Sequence, residues 1–488
     1  MEHWTTFVMI LIVCASFVGV YALRASMSAL RPPRYRKNCR RLGIGCFLFI
    51  GIAGFFFSFD ASAEQSLTMQ HGKESRAEYI LKRLNEGDAE CNKIPLTDRI
   101  LFAKGVPTER PVVLCAFKES DRSWHVIHVQ LPYPVSPAYI ACVKSASSLL
   151  LRRECELPLR VITPGYRIVH LGGYGVTRMI FDVWDGNEKL IVYRTRHVWL
   201  DDDALASKDA ARVRKTAIPI NYTPYHPDFH DREMVNKGIA LVRERIQFVQ
   251  KALRDRKVYS RAFPKKLLGD VVPYELPLTL AAIEQIDDMK FKDDNKRSME
   301  AAYIEYAING DRAFMWSRSG ANALGALQFT RPTYEEIVVQ YPEAKLIPDF
   351  EAGARDLTNV LMAAICLIDH ENAKFPPILP IYERNPILGG FYAVAAYNGG
   401  PRWARELYRL LREKKIVMET EEMKIPRMLT LMEKYCKNCA VLAKGKNKKR
   451  KKFVLKKVQN FETPGYVEKY LYGINFHERR LREEVAHP

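Results

Sequence analysis

The stretch Val272-Pro273-Tyr274-Glu275-Leu276-Pro277-Leu278-Thr279-Leu280-Ala281-Ala282-Ile283-Glu284-Gln285 decides how the second half of the chain is read. Pro277 suits the first turn of a helix, where a missing N–H is no loss, and the following Leu, Ala and Ile residues carry that helix to about Ile286. On it Glu284 stands one turn from Leu280 and two from Leu276, so a carboxyl group shares its side with apolar residues. Such surroundings hinder ionisation, and a carboxyl that keeps its proton near neutral pH is what protonation of a glycosidic oxygen requires. Helical signals dominate from here onward. Residues 355–370 read as a second helix, and the small apolar run 389–397 stops at Asn398-Gly399-Gly400-Pro401, a helix cap followed by a breaker.

Three more segments belong with the first. They are Ser319-Gly320-Ala321-Asn322-Ala323-Leu324-Gly325-Ala326-Leu327-Gln328-Phe329, then Ala396-Tyr397-Asn398-Gly399-Gly400-Pro401, then Phe461-Glu462-Thr463-Pro464-Gly465-Tyr466-Val467. Taken in order, the four segments resemble motifs of the lytic transglycosylase family, whose catalytic domain is of the soluble-lytic-transglycosylase (SLT) or goose-lysozyme-like kind. The first is similar to the helix that ends in the family's catalytic Glu-Ser, with Gln285 standing in place of the Ser. The second resembles the Ser and Gly-x-x-Gln segment that lines the glycan cleft. The third resembles the Ala-Tyr-Asn-Ala-Gly-Pro signature, and the fourth the Glu-Thr-x-x-Tyr-Val segment.

The resemblance implies a lyase that cleaves the N-acetylmuramic acid to N-acetylglucosamine β-1,4 bond of peptidoglycan. It implies that Glu284 first protonates the leaving oxygen and then, as carboxylate, takes a proton from the C6 hydroxyl of the sugar, which closes a 1,6-anhydro ring without water, metal or cofactor. It also implies that Tyr397 hydrogen-bonds and orients the Glu, and that Ser319, Gly325, Gln328, Tyr397 and Asn398 form the substrate side of the cleft. Glu462 and Tyr466 read as structural tethers, and Tyr397-Asn398 also reads as a buried aromatic followed by a helix cap.

This chain departs from the family in one respect. Glu284 and Ser319 lie 35 positions apart, where the family keeps them close, so an insertion is required. Within it Glu305, flanked by Ala301, Ala302 and Ile308, competes for the role of the acid. Most glycosidases use two carboxylates, and Asp287, Asp288 or Asp311 would make the enzyme a hydrolytic muramidase instead. A third reading, a peptidoglycan-binding envelope scaffold without activity, draws on Gln285 and the insertion.

Towards the N-terminus, the apolar runs 4–23 and 42–59 are each near the ~20 residues that a membrane-crossing helix needs. Arg24, Arg31, Arg34, Arg36, Lys37, Arg40 and Arg41 lie between them, and the positive-inside rule then sends the rest of the chain outward. Translation from Met27 would turn the same region into a signal peptide cleaved at Ala61-Ser62-Ala63. Both readings export residues 64–488, either anchored at the inner membrane or released from it into the envelope or periplasm. Export makes disulfides possible among Cys91, Cys115, Cys142 and Cys155, for which three pairings remain open. Cys436 and Cys439 could pair or bind metal, but no second Cys-x-x-Cys completes a zinc site.

Residues 91–200 read as strands: Ile127, Val129 and Leu131 alternate with polar residues, and Asp185-Gly186 marks a hairpin turn. In residues 232–257, Ile239, Val242, Ile246 and Val249 form a helical stripe. The expected fold class is therefore α+β and multidomain: membrane segments or a signal region over 1–63, a β-rich module over 64–230, a helical linker over 231–267, and a mainly α, lysozyme-like domain over 268–480. The net charge of +19 in an exported protein suits anionic wall polymers or lipid headgroups rather than nucleic acid, and the basic run 444–457 reads as a solvated loop. The expected partners are peptidoglycan glycan strands, the membrane, and an envelope protein complex.

Overall fold

Val112 to Phe117 is an unbroken apolar run in which every residue is at most 1% exposed, and it forms the middle of a strand covered on both faces. In the computed structural model, which describes residues 74–145, 155, 157–171, 173, 175–200, 202–413 and 462–486, this strand belongs to an eight-stranded antiparallel sheet. Its strands are β1 (Leu101–Ala103), β2 (Val106–Lys118), β3 (Ser123–Pro132), β4 (Arg160–Val161), β5 (Tyr166–His170), β6 (Phe181–Asp185), β7 (Glu188–Trp199) and β8 (Ile218–Tyr222). The main path runs β4-β3-β2-β7-β6-β5, with β1 on β2 and β8 on β7.

The alternation of Ile127, Val129 and Leu131 puts all three into one buried face of β3 together with Val112 and Leu114 of β2. The expected hairpin is present, with Asp185 paired to Glu188 across a turn that holds Gly186 at φ +60°. Two disulfides, Cys91–Cys115 and Cys142–Cys155, settle the pairing that the sequence left open.

Seven of the helices among the described residues frame the rest: α1 (Arg76–Asn92), α2 (Arg232–Asp255), α3 (Glu275–Ile283), α4 (Asn295–Asn309), α5 (Leu357–Ala373), α6 (Pro386–Gly399) and α7 (Glu462–Ala486). Their ends follow local chemistry. Asp231, Asp294 and Asp356 accept backbone N–H bonds at the starts of α2, α4 and α5, and α6 starts on Asn385-Pro386 and stops at Gly400, φ +79°. The stripe read in residues 232–257 faces inward, with Val242, Ile246 and Val249 fully buried. Leu276 to Ile283 of α3 are buried all round, as in a helix at the centre of a core. Helix α6 comes so close to α3 that a Cβ on Gly390 would lie 2.6 Å from Leu276 Cδ2.

The expected string of separate modules is corrected here. The described residues from Arg76 onward form one compact unit, and one apolar cluster joins Ile80 of α1, Phe117 and Tyr193 of the sheet, and the helices α2 to α7. Buried polar bonds cross the same boundary: Arg194 of β7 donates to the Ile308 carbonyl of α4 at 3.3 Å, and Tyr222 of β8 donates to Glu305 at 2.5 Å. The sheet is thus built into the core of the helical part instead of standing apart as a spacer. The expected N-terminal transmembrane segments are not supported either. They lie outside the described residues, as do the signal-peptide cleavage site, Cys436, Cys439 and the basic run 444–457. Among the described residues no helix is long and apolar enough to cross a membrane.

Candidate active site

Glu284 is the first residue past α3, and its N–H still bonds to the Leu280 carbonyl at 3.1 Å. The residue as a whole is half-buried, and burial of its carboxyl pushes that group up to about 7. Two neighbours oppose that rise. The Tyr466 hydroxyl donates directly to Glu284 Oε1, and the Lys469 ammonium favours the charged form from nearby. Tyr466 and Lys469 are three positions apart on α7, one above the other on a single face. Lys469 is itself buried, donating to the Ile286 carbonyl at 2.7 Å and pairing with Asp288 at 2.5 Å. The negative end of α3 adds a fixed partial charge that disfavours the carboxylate.

Of the other sequence-predicted residues, Tyr397 stands close to this group, and the 317–329 segment is tied to its neighbour Gln285. Tyr397 lies in the last turn of α6, and burial together with the Glu284 charge holds its hydroxyl well above the usual phenol range. Its hydroxyl donates to the Leu327 carbonyl, not to Glu284, and its ring meets Phe329 edge-on at 5.5 Å. The orienting bond that the resemblance implied for Tyr397 is therefore made by Tyr466, which the sequence marked only as a tether. Asn398 follows Tyr397 and is exposed. Glu462 is the first residue of α7, and its side chain lies outside what the structure describes.

The segment 317–329 is held against the end of α3 by Gln285. Its amide nitrogen donates to the carbonyls of Gly325 at 3.2 Å and Ala326 at 2.7 Å, while its oxygen accepts from the Ser317 hydroxyl at 3.1 Å. A serine hydroxyl at this position has one proton to give, so the longer amide serves here as a three-way brace. Gln328 folds back on the same segment, donating to Gly325 at 2.7 Å. Ser319 Oγ accepts from Ala321 and Ala323 N–H groups at 3.2 and 3.1 Å. Gly325 sits at φ +75°, and a Cβ there would lie 1.8 Å from the Ala354 carbonyl oxygen. Gly325, which the resemblance placed on the substrate side of the cleft, thus makes its close approach to the protein's own backbone.

Glu305 occupies a different place. It is 6% exposed and bonded on both oxygens, by Tyr222 at 2.5 Å and by the Tyr225 N–H at 2.9 Å. Burial pushes it up to about 7 as well, but its bonds tie α4 to the sheet. The three aspartates considered as a second carboxylate are also engaged: Asp287 caps the short helix Asp288–Asp293, Asp288 pairs with Lys469, and Asp311 makes a two-bond pair with Arg245 at 2.8 and 2.9 Å. Among the described residues, Asp182, His226 and Asp228 are spaced as metal ligands would be. The Lys189 ammonium bridges those two carboxylates at 2.8 and 3.0 Å, so the cluster already holds a cation of its own.

Sequence reasoning missed Lys469 and the contacts of Tyr466 and Gln285. The i, i+3 spacing of Tyr466 and Lys469 was available in the sequence, but nothing there aligned that face with Glu284. Comparison with protein-family models, curated proteins and solved structures returns no match for this chain.

Proposed function

We propose that this protein is a peptidoglycan lytic transglycosylase that cuts glycan strands with Glu284 as its single acid and base. The observation that carries the reading is a carboxyl on a half-buried residue, pushed up to about 7 by burial and gripped by the Tyr466 hydroxyl, with Tyr397 and the 317–329 segment beside it. At neutral pH such a group is divided between its two forms, and so is able both to donate a proton and to recover one.

Glu284 in its acid form protonates the glycosidic oxygen as the bond to C1 of the muramic acid breaks. The carboxylate left behind, stabilised by Tyr466 and Lys469, removes the proton from the C6 hydroxyl of the same sugar. That oxygen bonds to C1 and closes the 1,6-anhydro ring, which returns Glu284 to its acid form. The engagement of Asp287 in a helix cap, of Asp311 with Arg245 and of Asp288 with the Lys469 ammonium favours this one-carboxylate route over hydrolysis. The two disulfides fit an oxidising compartment outside the cytoplasm, where peptidoglycan lies.

The test is digestion of purified sacculi with the full chain, followed by mass spectrometry of the fragments. Anhydro-ended fragments are expected from the wild type and from Glu305→Gln, and none from Glu284→Gln. Reducing-end fragments would make the protein a muramidase, and no release at all from the wild type would remove the enzymatic reading.

A further inference from the structure

A groove of about 360 Å³ lies on the sheet, between the end of the Thr97–Arg99 turn and the edge formed by β3 and β4. It shares no lining residue with the Glu284 site. Its volume falls within the range of small-ligand sites, and so does its make-up of apolar walls with a few placed polar groups. Leu101 and Ile162 line it and are 42% and 43% exposed, an unfavourable placement for two large side chains in water.

The polar groups in the groove are complementary to one kind of ligand. The Arg99 guanidinium has no carboxylate partner among the described residues; it donates to His128 Nδ1 at 2.6 Å. Burial and the adjacent Arg99 charge both hold His128 below the usual imidazole range, so the ring stays neutral and accepts that bond. Arg160, on the other side, pairs only at the surface with Glu109, at 2.6 Å. Gln130 lines the groove, is 9% exposed, gives its amide N–H to the Arg99 carbonyl at 3.1 Å, and has a buried Oε1 for which the protein supplies no donor. The site therefore presents one anchored cation, one acceptor seeking an N–H, and two apolar flanks.

We infer that this groove binds the C-terminal residue of a peptide: its free carboxylate on Arg99, its N–H towards Gln130 Oε1, and its side chain between Leu101 and Ile162. An inorganic anion would use only the first of these, and a hydrophobic compound only the last. The inference rests on the groove alone and stands whether or not Glu284 cuts glycans. If it does, the stem peptides of peptidoglycan supply such termini next to the strand being cut.

Calorimetric titration of the full chain decides it, with N-acetyl-D-alanyl-D-alanine, N-acetyl-L-alanyl-L-alanine, the C-terminal amide of each, and inorganic phosphate as probes. At least one free acid is expected to bind, with its amide weaker by roughly tenfold through loss of a charge-assisted bond. Arg99→Gln should weaken the acid by a similar factor and leave the amide unchanged, and Ile162→Asp, at an exposed position, should weaken both. Preference for the D-peptide points to wall peptides as the source, and preference for the L-peptide to protein C-termini. The inference is overturned if no free acid binds, if acid and amide bind alike, if Arg99→Gln binds the acid as the wild type does, or if phosphate competes as well as the peptide. The acid and amide comparison needs no variant, so a poorly folded Arg99→Gln leaves the test intact. Sacculus digestion by Arg99→Gln reads the glycan reaction separately.

Discussion

Two glutamates of this protein hold their protons to about pH 7 for the same reason, burial, yet only one of them meets solvent. That difference is why the proposed reaction is assigned to Glu284 and not to Glu305. Because the bond from Tyr466 lowers the pKa of Glu284, Tyr466→Phe should move the alkaline limb of the kcat/KM profile to higher pH while reducing the maximum rate. A purely structural Tyr466 would leave the position of that limb unchanged. Both glutamates also bear on stability. In the unfolded chain they release protons near 4.5, and in the fold near 7. The folded state thus binds more protons between these values, and its stability falls as pH rises through that window. Thermal melts from pH 4.5 to 7.5 should show a steeper decline for the wild type than for Glu284→Gln or Glu305→Gln.

The end of α3, the 317–329 segment and α7 meet at Glu284, and each depends on a contact that tolerates little change. Gly325→Ala would set a Cβ against the Ala354 carbonyl oxygen and force a left-handed backbone on a residue that disfavours it. A loss of at least about 1 kcal/mol is expected from the backbone term alone, measurable by chemical denaturation, with activity falling as the segment shifts. Gln285→Ala removes three hydrogen bonds between α3 and that segment. Its expected effect is a loss of stability, because the partners on the buried residues Ser317, Gly325 and Ala326 are left without their bonds, together with a loss of kcat/KM as the segment no longer holds its place beside Glu284. A comparable loss of stability with kcat/KM intact would show that the brace does not position the site. The motifs of these elements were legible in the sequence because their caps and breakers are local: Gly400 at the end of α6 and Pro277 in the first turn of α3.

At the scale of the molecule, the sheet and the helices share one core, so damage to the sheet should reach the active site. The Cys91–Cys115 disulfide closes a loop of 24 positions and ties α1 to β2. Its removal is expected to cost about 3 kcal/mol by restoring unfolded-state freedom. Cys91→Ala with Cys115→Ala should therefore lower the melting temperature of the full chain, and glycan cleavage should disappear over the same temperature range as the fold. Independent loss of the two would mean that the sheet and the helices around Glu284 melt as separate units.

The sequence alone determined what is written within a few residues: the alternation of β3, the hairpin at Gly186, the inward stripe of α2, and the presence of a carboxyl in an apolar setting at Glu284. These follow from backbone geometry and side-chain spacing, which act over one or two turns or a pair of strands. Only the tertiary structure decided that Tyr466, 182 positions away, is the group that holds Glu284. The same holds for Glu305 as a strut to the sheet, and for the merging of sheet and helices into one core. Such facts depend on which buried faces meet, and chain spacing does not encode the meeting of faces that are distant in sequence.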